Sequence, residues 1–359
     1  MKDPFARLNT LISRNFPSGV SNPINLHIGD PKGTPNPKVV EYFRNNLDLG
    51  RYPPSATIPE LTESIRSYKQ RVHNVNLNSD QISAVQGTKS ALAWIPSIFL
   101  GRNNRLSVPD LSYATYVVPA GRFNPEFYFY PVENKICPPL NPLDYMIINT
   151  PHNPTGRVLD RQALSHLAAK AQADNFILIS DECYIDIYRG EKPTSLLEVD
   201  KSGEFKNLLV LNSLSKSFNL AGLRSGFLAG DAGLVKKFSQ VYSTTGNTMS
   251  IPHQKASAIA WNDIDFIAQN RVTYNSAMEH FAGFAKLEMP RGAFYFFVQV
   301  PHDGETWAMD LLRFHNIKVM PGKYLDASES GRYDDYVRIP VAEKLDDKII
   351  GAFKEMLRK

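Results

Sequence analysis

Lys216 stands in a polar interval between two apolar runs, within Asn207 to Gly230, NLLVLNSLSKSFNLAGLRSGFLAG. The run Leu208 to Leu211 stops at Asn212 and a second run starts after Arg224, a pattern that predicts strand, loop, strand. A lysine held there loses its proton more readily, because desolvation and nearby cations penalise the ammonium form, and it becomes a nucleophile towards an aldehyde. Ser213 precedes it by three residues and Arg224 follows by eight, so a hydroxyl and a guanidinium can converge beside it as anion ligands. An imine-forming lysine next to a phosphate site points to pyridoxal 5'-phosphate (PLP). Alone, Lys216 would be an ordinary solvated loop lysine, and it is the spacing that argues otherwise.

Other residues fit the same chemistry. QISAVQGTKSAL (Gln81 to Leu92) runs from a strand through Gly87 into a helix start, where backbone amides, the Thr88 hydroxyl and the Lys89 amine can cradle a phosphate. The strand NFILIS (Asn175 to Ser180) delivers Asp181 at its carboxyl end, a costly position unless the carboxylate is paired. A protonated pyridine nitrogen is its natural partner, and that pairing keeps the ring cationic and electron-withdrawing. Tyr184, three residues on, can hydrogen-bond the cofactor's phenolic oxygen. Asn153, in Asn-Pro-Thr-Gly after the buried strand that ends at Asn149, falls beyond a strand's carboxyl end, where open α/β sheets bind ligands. His152 beside it reads as a loop histidine and Cys183 as a small packing residue. Arg338 alternates with Val337 and Ile339 in a terminal strand, so it either reaches solvent or meets a carboxylate.

Serine, lysine and arginine at this spacing, with Gly222 and Gly226, resemble the lysine motif of the class I/II aminotransferases, the fold-type-I PLP enzymes. The other matches occur in the order that family expects and cover nearly the whole chain. The resemblance implies that Asn153 donates to the phenolic oxygen, that Tyr113 in VPDLSYATY stacks on the pyridine ring, with Tyr116 as the competing choice, and that Arg338 holds the substrate α-carboxylate. It implies further that Gly29, in NLHIGDPKGTPNP, lies on an arm that closes over the substrate. Tyr52, in a Pro-rich turn, would reach the cofactor phosphate of a neighbouring subunit, hence a homodimer with shared active sites.

The elements that must position these groups are those of an α/β protein. The expected architecture is a large domain with a mostly parallel sheet flanked by helices, plus a smaller α+β domain. Residues 1–46 would form the arm and part of the small domain, 47–285 the large cofactor domain, and 286–359 the C-terminal small domain. Leu61, Ile65 and Tyr68 at helical spacing behind Pro59 predict an amphipathic helix. Helical segments are expected around Val235 to Phe238 and Pro252 to Ala260, followed by a charged stretch to about His280, and then RGAFYFFVQV and VRIPVA as strands with a helix in HDGETWAMDLLRFHN.

The whole chain narrows the alternatives. At 359 residues it can bury a large core, and its longest apolar run, Ala91 to Leu100, is too short for a bilayer and contains Pro96. The N-terminus lacks the apolar core of a signal peptide, and two cysteines, Cys137 and Cys183, make no disulfide framework, so cytoplasm is expected. The net charge of +4 forms no basic block, which argues against nucleic acid.

SDECYIDIY, GLRSGFLAGD, AIAWND and GAFYFFVQVP are similar to N-succinyldiaminopimelate aminotransferases of lysine biosynthesis. The chain departs from that subgroup at Ser217 and Ala221, where a basic residue and a proline are usual. Amino-acid and 2-oxo-acid substrates are expected, with glutamate as donor. Aspartate, aromatic and LL-diaminopimelate aminotransferases are the alternatives, then a PLP-dependent lyase on the same fold, and more distantly a non-catalytic regulator built on an aminotransferase-like module.

Overall fold

Three of the apolar runs lie side by side as β5 (Tyr145–Asn149), β6 (Ile177–Asp181) and β7 (Leu208–Ser213). In this computed structural model, which describes residues 3–47, 49–132, 136 and 142–357, they form the middle of a seven-stranded sheet. Its order is β2 (Ile82–Val85), β8 (Gly226–Gly230), β7, β6, β5, β3 (Arg105–Pro109) and β4 (Glu126–Tyr130). Strands β3 to β7 are parallel, β8 runs antiparallel to β7, and β2 antiparallel to β8. Every residue of β5 and β7 is buried, which explains their continuous apolar sequence: both faces of a parallel sheet are covered.

Alternation sorts the two covers. Met146, Ile148, Leu178 and Val210 pack with Leu61, Ile65 and Tyr68 of the helix Pro59–His73. Ile147, Ile179 and Leu209 face the opposite way, towards Ala91, Leu92 and Ile95 of the helix Thr88–Phe99. The first helix starts on Pro59, whose missing N–H costs nothing there, and ends at Asn74 in the left-handed region at φ 52°. Burial of each large apolar side chain on its inner face stabilises by roughly 1.5–3 kcal/mol. Tyr68 also carries polar work, donating to Asp186 at 2.9 Å, and Lys69 beside it reaches Glu182 at 3.4 Å and Ser195 at 2.8 Å without any exposure.

A second, four-stranded sheet has the order β1 (Ile24–Leu26), β10 (Ile317–Pro321), β11 (Tyr336–Pro340) and β9 (Tyr295–Gln299). Only β1 and β10 are parallel in it. Its core takes Val337 and Ile339 on one face, together with Trp307 and Leu311 of the helix Gly304–His315 and Met278 and Phe281 of the helix Ile264–Ala285. That last helix is the charged stretch that the sequence left without a type.

Several elements depart from the sequence reading. Strand β7 runs on to Ser213, and a short helix, Leu214–Ser217, follows at once, so Lys216 sits in a helical turn and not in an irregular loop. The helices Pro4–Asn15, Pro37–Asn45 and Asp347–Met356 and the strands β4 and β10 were not anticipated. Strand β4 is at the sheet edge and half-buried without alternation, so its pattern carries no clear period. Cys137 lies outside the described residues.

Candidate active site

The ends of β5, β6 and β7 bring Asn149, Asp181 and Ser213 to one edge of the large sheet. Above it opens a cavity of about 650 Å³ whose lining includes Lys216, Asp181, Tyr184, Asn153, Arg224 and Arg338. Gly29, Thr88, Lys89, Tyr113 and Ser213 also border it. Gly87 stands behind this wall, where a Cβ would come within 2.5 Å of the Arg224 guanidinium. Of the residues singled out from sequence, Tyr52 alone stands apart, 99% exposed in the single chain.

Lys216 Nζ donates to the Gly29 carbonyl, which places the N-terminal segment directly over the amine. Burial, the largest influence, lowers its pKa to about 8; Arg338 and Arg224 push the same way, against Cys183 and Asp30. Asp181 is buried at the bottom of the cavity, where Tyr116 Oη donates to one oxygen at 2.7 Å and the Cys183 amide to the other at 3.1 Å. Burial pushes the Asp181 carboxyl up, and these hydrogen bonds only partly offset it, so a cation at this place would be held strongly.

At another wall, Gly87 at φ 76° begins the helix Thr88–Phe99 with no side-chain cap, and its first residues, Thr88 and Lys89, line the cavity at the end where a helix leaves its amides without intrahelical partners. Arg224 approaches that turn from the other side, itself at φ 53°, a left-handed conformation that costs a non-glycine residue about 1 kcal/mol or more. Two hydroxyls expected here are engaged within the protein. Thr88 Oγ1 lies 3.0 Å from Cys183 Sγ, and Ser213 Oγ accepts from the Ser215 amide at 3.1 Å while donating to Ser215 Oγ at 2.8 Å. Lys89 is exposed at the rim and continues into a neighbouring, largely apolar cavity of about 220 Å³ that Phe5, Val118 and Leu325 also line.

Arg338 neither reaches solvent nor meets a carboxylate among the described residues. It is 5% exposed, donates through Nη2 to the His27 carbonyl at 2.7 Å and through Nη1 to Asn153 Oδ1 at 3.1 Å, and its Nε is buried without a partner. The Asn153 amide donates in turn to Asn149 Oδ1 at 2.8 Å.

Other placements refine the sequence reading. His152 is a loop histidine, as expected, but a buried one, with Nε2 at 3.0 Å from the Leu111 carbonyl and Nδ1 at 2.9 Å from Thr155 Oγ1, and burial lowers its pKa to about 4. Cys183 packs as expected but also faces Thr88. Tyr113 and Tyr116 divide the work for which they competed: Tyr113 lines both cavities, and Tyr116 holds Asp181. Tyr295, to which the sequence reading gave no role, lies 2.7 Å from the Tyr184 hydroxyl and beneath Arg338. The available signal was only an aromatic run in a strand, which looks like core. Among the described residues there is no helix long and apolar enough to cross a membrane and no cluster of metal-ligating side chains.

Comparison with known proteins bears on this site. Residues 21–347 match the family described as aminotransferase class I and II. The 4-dedimethylamino-4-oxo-anhydrotetracycline transaminase OxyQ of Streptomyces rimosus is 30% identical over 88% of this chain and 88% of its own. An aspartate aminotransferase of Pyrococcus abyssi is 28% identical over 92% of this chain and 90% of its own. The crystal structure of aminotransferase AspB from Helicobacter pylori superposes with a TM-score of 0.90 at 30% identity, covering 99% of this chain and 98% of that one. The chain therefore belongs to the class I and II aminotransferases and is a PLP-dependent transaminase of fold type I.

Proposed function

We propose that this transaminase exchanges the amino group between glutamate and a long 2-oxo acid that ends in a second carboxylate, with N-succinyl-LL-diaminopimelate and its oxo acid as the pair that fits best. The observation that carries an amino-acid substrate is Arg338, a buried guanidinium on the wall of the same cavity as Lys216, with no carboxylate partner and an unpartnered Nε among the described residues. A buried cation without a carboxylate is costly, and an α-carboxylate would supply the missing acceptor. The long substrate is supported by the motifs shared with that subgroup and by the side cavity that continues past Arg338 and Lys89. The Pyrococcus relative favours a second reading, aspartate as substrate.

The residues present fit PLP. Bound there, it supplies an electron sink for the carbanion formed at the substrate's α-carbon. Lys216 Nζ would hold its aldehyde carbon and, once released by the incoming amine, take the α-proton and return it. Asp181 would hold the ring nitrogen's proton. Arg224, Ser213, Gly87 and the amides of Thr88 and Lys89 would bind the phosphate, Asn153 and Tyr184 the phenolic oxygen, and Tyr113 the ring face. Gly29, carried by the N-terminal segment, would exclude water above the amine.

We infer a homodimer, in which Tyr52 completes the phosphate site of the other subunit; its full exposure in the single chain supports this. We also infer that residues 47–285 form the cofactor-holding unit and 1–46 with 286–359 the smaller one, working in the cytoplasm. Single-turnover kinetics test the substrate. Glutamate should convert the cofactor to its amine form, and the succinylated oxo acid should reoxidise it faster than oxaloacetate or phenylpyruvate. Preference for oxaloacetate would establish the aspartate reading instead.

A further inference from the structure

Tyr295, at the start of β9, is 2% exposed and touches three parts of the site at once. Its hydroxyl lies 2.7 Å from the Tyr184 hydroxyl, and its ring sits 5.0 Å below the Arg338 guanidinium. Gly29 rests against the same ring so closely that an added Cβ would fall 1.8 Å from the Tyr295 oxygen. The Gly29 carbonyl in turn accepts from Lys216 Nζ. One side chain thus contacts the phenol assigned to the cofactor's oxygen, the cation assigned to the substrate's carboxylate, and the segment that covers the lysine.

The hydroxyl pair has a direction that matters. Two hydroxyls facing each other use one proton between them and leave the other free. If Tyr184 donates to Tyr295, its proton is spent inside the protein. If Tyr295 donates, Tyr184 keeps its own O–H for the cavity and becomes a stronger donor, because successive hydrogen bonds polarise one another. Arg338 over the Tyr295 ring favours the second arrangement, since a cation there stabilises the electron-rich oxygen of a donating phenol. The remaining groups facing the pair are Lys216, whose Nζ lies 6.0 Å from the Tyr184 ring centre, farther than Arg338 lies from that of Tyr295, and Cys183, Asp30, Tyr113 and Tyr274; none of them hydrogen-bonds to either hydroxyl among the described residues. Burial raises both phenols, so the pair meets as two neutral hydroxyls.

We propose that Tyr295 is a positioning residue whose hydroxyl donates to Tyr184 and so directs the Tyr184 proton to the phenolic oxygen of bound PLP, while its ring supports Arg338 and Gly29. The proposal rests on the reading of Tyr184 given above. Its consequence is electronic: with PLP bound, a hydrogen bond from Tyr184 would lessen the negative charge on the phenolic oxygen, and the nitrogen of Lys216 joined to the cofactor would hold its proton less tightly.

The test is a visible-absorbance pH titration of PLP bound to the full-length protein, without substrate. Tyr295→Phe keeps the ring and removes only the hydroxyl; it should move the titration midpoint upward by about half a pH unit, less than Tyr184→Phe does. A fluorinated tyrosine at position 295, a stronger donor of the same shape, should move it downward, and it decides the matter should Tyr295→Phe fold poorly. Opposite movement of the two variants supports the proposal. An unchanged midpoint in either, or a fall with Tyr295→Phe, overturns it, the fall meaning that Tyr184 is the donor. If Tyr184→Phe also leaves the midpoint unchanged, Tyr184 does not face the phenolic oxygen, and both the proposal and the assignment beneath it are lost.

Discussion

Arg338 Nη1 donates to Asn153 Oδ1 across 3.1 Å, joining a strand of the small sheet to the loop that follows β5 in the large one. On the roles proposed for Arg338 and Asn153, substrate recognition and cofactor contact would share one hydrogen bond. Arg338→Lys keeps the charge but loses the planar fork, so KM for glutamate should rise by about tenfold to several hundredfold while the cofactor spectrum stays unchanged. Steady-state kinetics beside an absorbance spectrum check it; an unchanged KM would remove Arg338 from carboxylate binding.

Lys216→Ala removes the amine that burial has tuned. It should abolish the visible absorbance of lysine-bound PLP and lower turnover by at least the ~10²–10⁴-fold typical of a missing general base. Persistence of that absorbance would point to another attachment site, with Lys89 the next lysine on the cavity wall.

The amine itself should be titratable. Its pKa is lowered from 10.5 to about 8, so only the neutral fraction that appears as pH rises through that value can attack an aldehyde. Capture of PLP by apoenzyme, followed by stopped-flow absorbance, should accelerate about tenfold per pH unit below 8 and level off above it. A rate still climbing at pH 10 would mean an unperturbed lysine.

Asp181→Asn should spare phosphate binding and strongly slow proton removal, because it would break the buried pair proposed with the ring nitrogen, a loss of roughly 3–5 kcal/mol. Single-turnover absorbance with glutamate measures the step. Near-wild-type rates with an unaltered spectrum would take Asp181 out of the chemistry.

Acid stability should depend on histidines that the fold buries. His152 and His73 have pKa values lowered by burial to about 4 and about 3, against 6.5 when unfolded. Below 6.5 the unfolded chain takes up protons that the folded chain refuses. Stability is therefore complete above pH 6.5 and falls as pH drops towards 4, by up to about 1.4 kcal/mol per pH unit for each histidine. Denaturant unfolding at pH 7 and pH 5 gives the slope, and His152→Gln should flatten it.

What the sequence determined by itself is the part of the site that local pattern encodes. Asp181 had to end a strand because the apolar run Phe176 to Ile179 leads into it, Lys216 had to follow a strand end, and the helix behind Pro59 had to show Leu61, Ile65 and Tyr68 to a core. Such features depend on neighbours a few residues away, within reach of periodicity and capping. Only the tertiary structure decided which groups meet across the chain. Lys216 and Gly29 are 187 residues apart and Arg338 and His27 are 311 apart, and no spacing rule foresees either hydrogen bond. The same holds for Tyr295 and Tyr184, 111 residues apart, and for Tyr116, whose hydroxyl finds Asp181 from a helical turn on another strand's loop. In sequence Tyr295 looks like a core residue and His152 like a loop histidine, while Tyr184 and Tyr116 show a possible role but not these partners. They are functional candidates or buried polar anchors because two sheets, each folded by its own apolar pattern, close on a cavity where buried polar groups draw partners from distant parts of the chain.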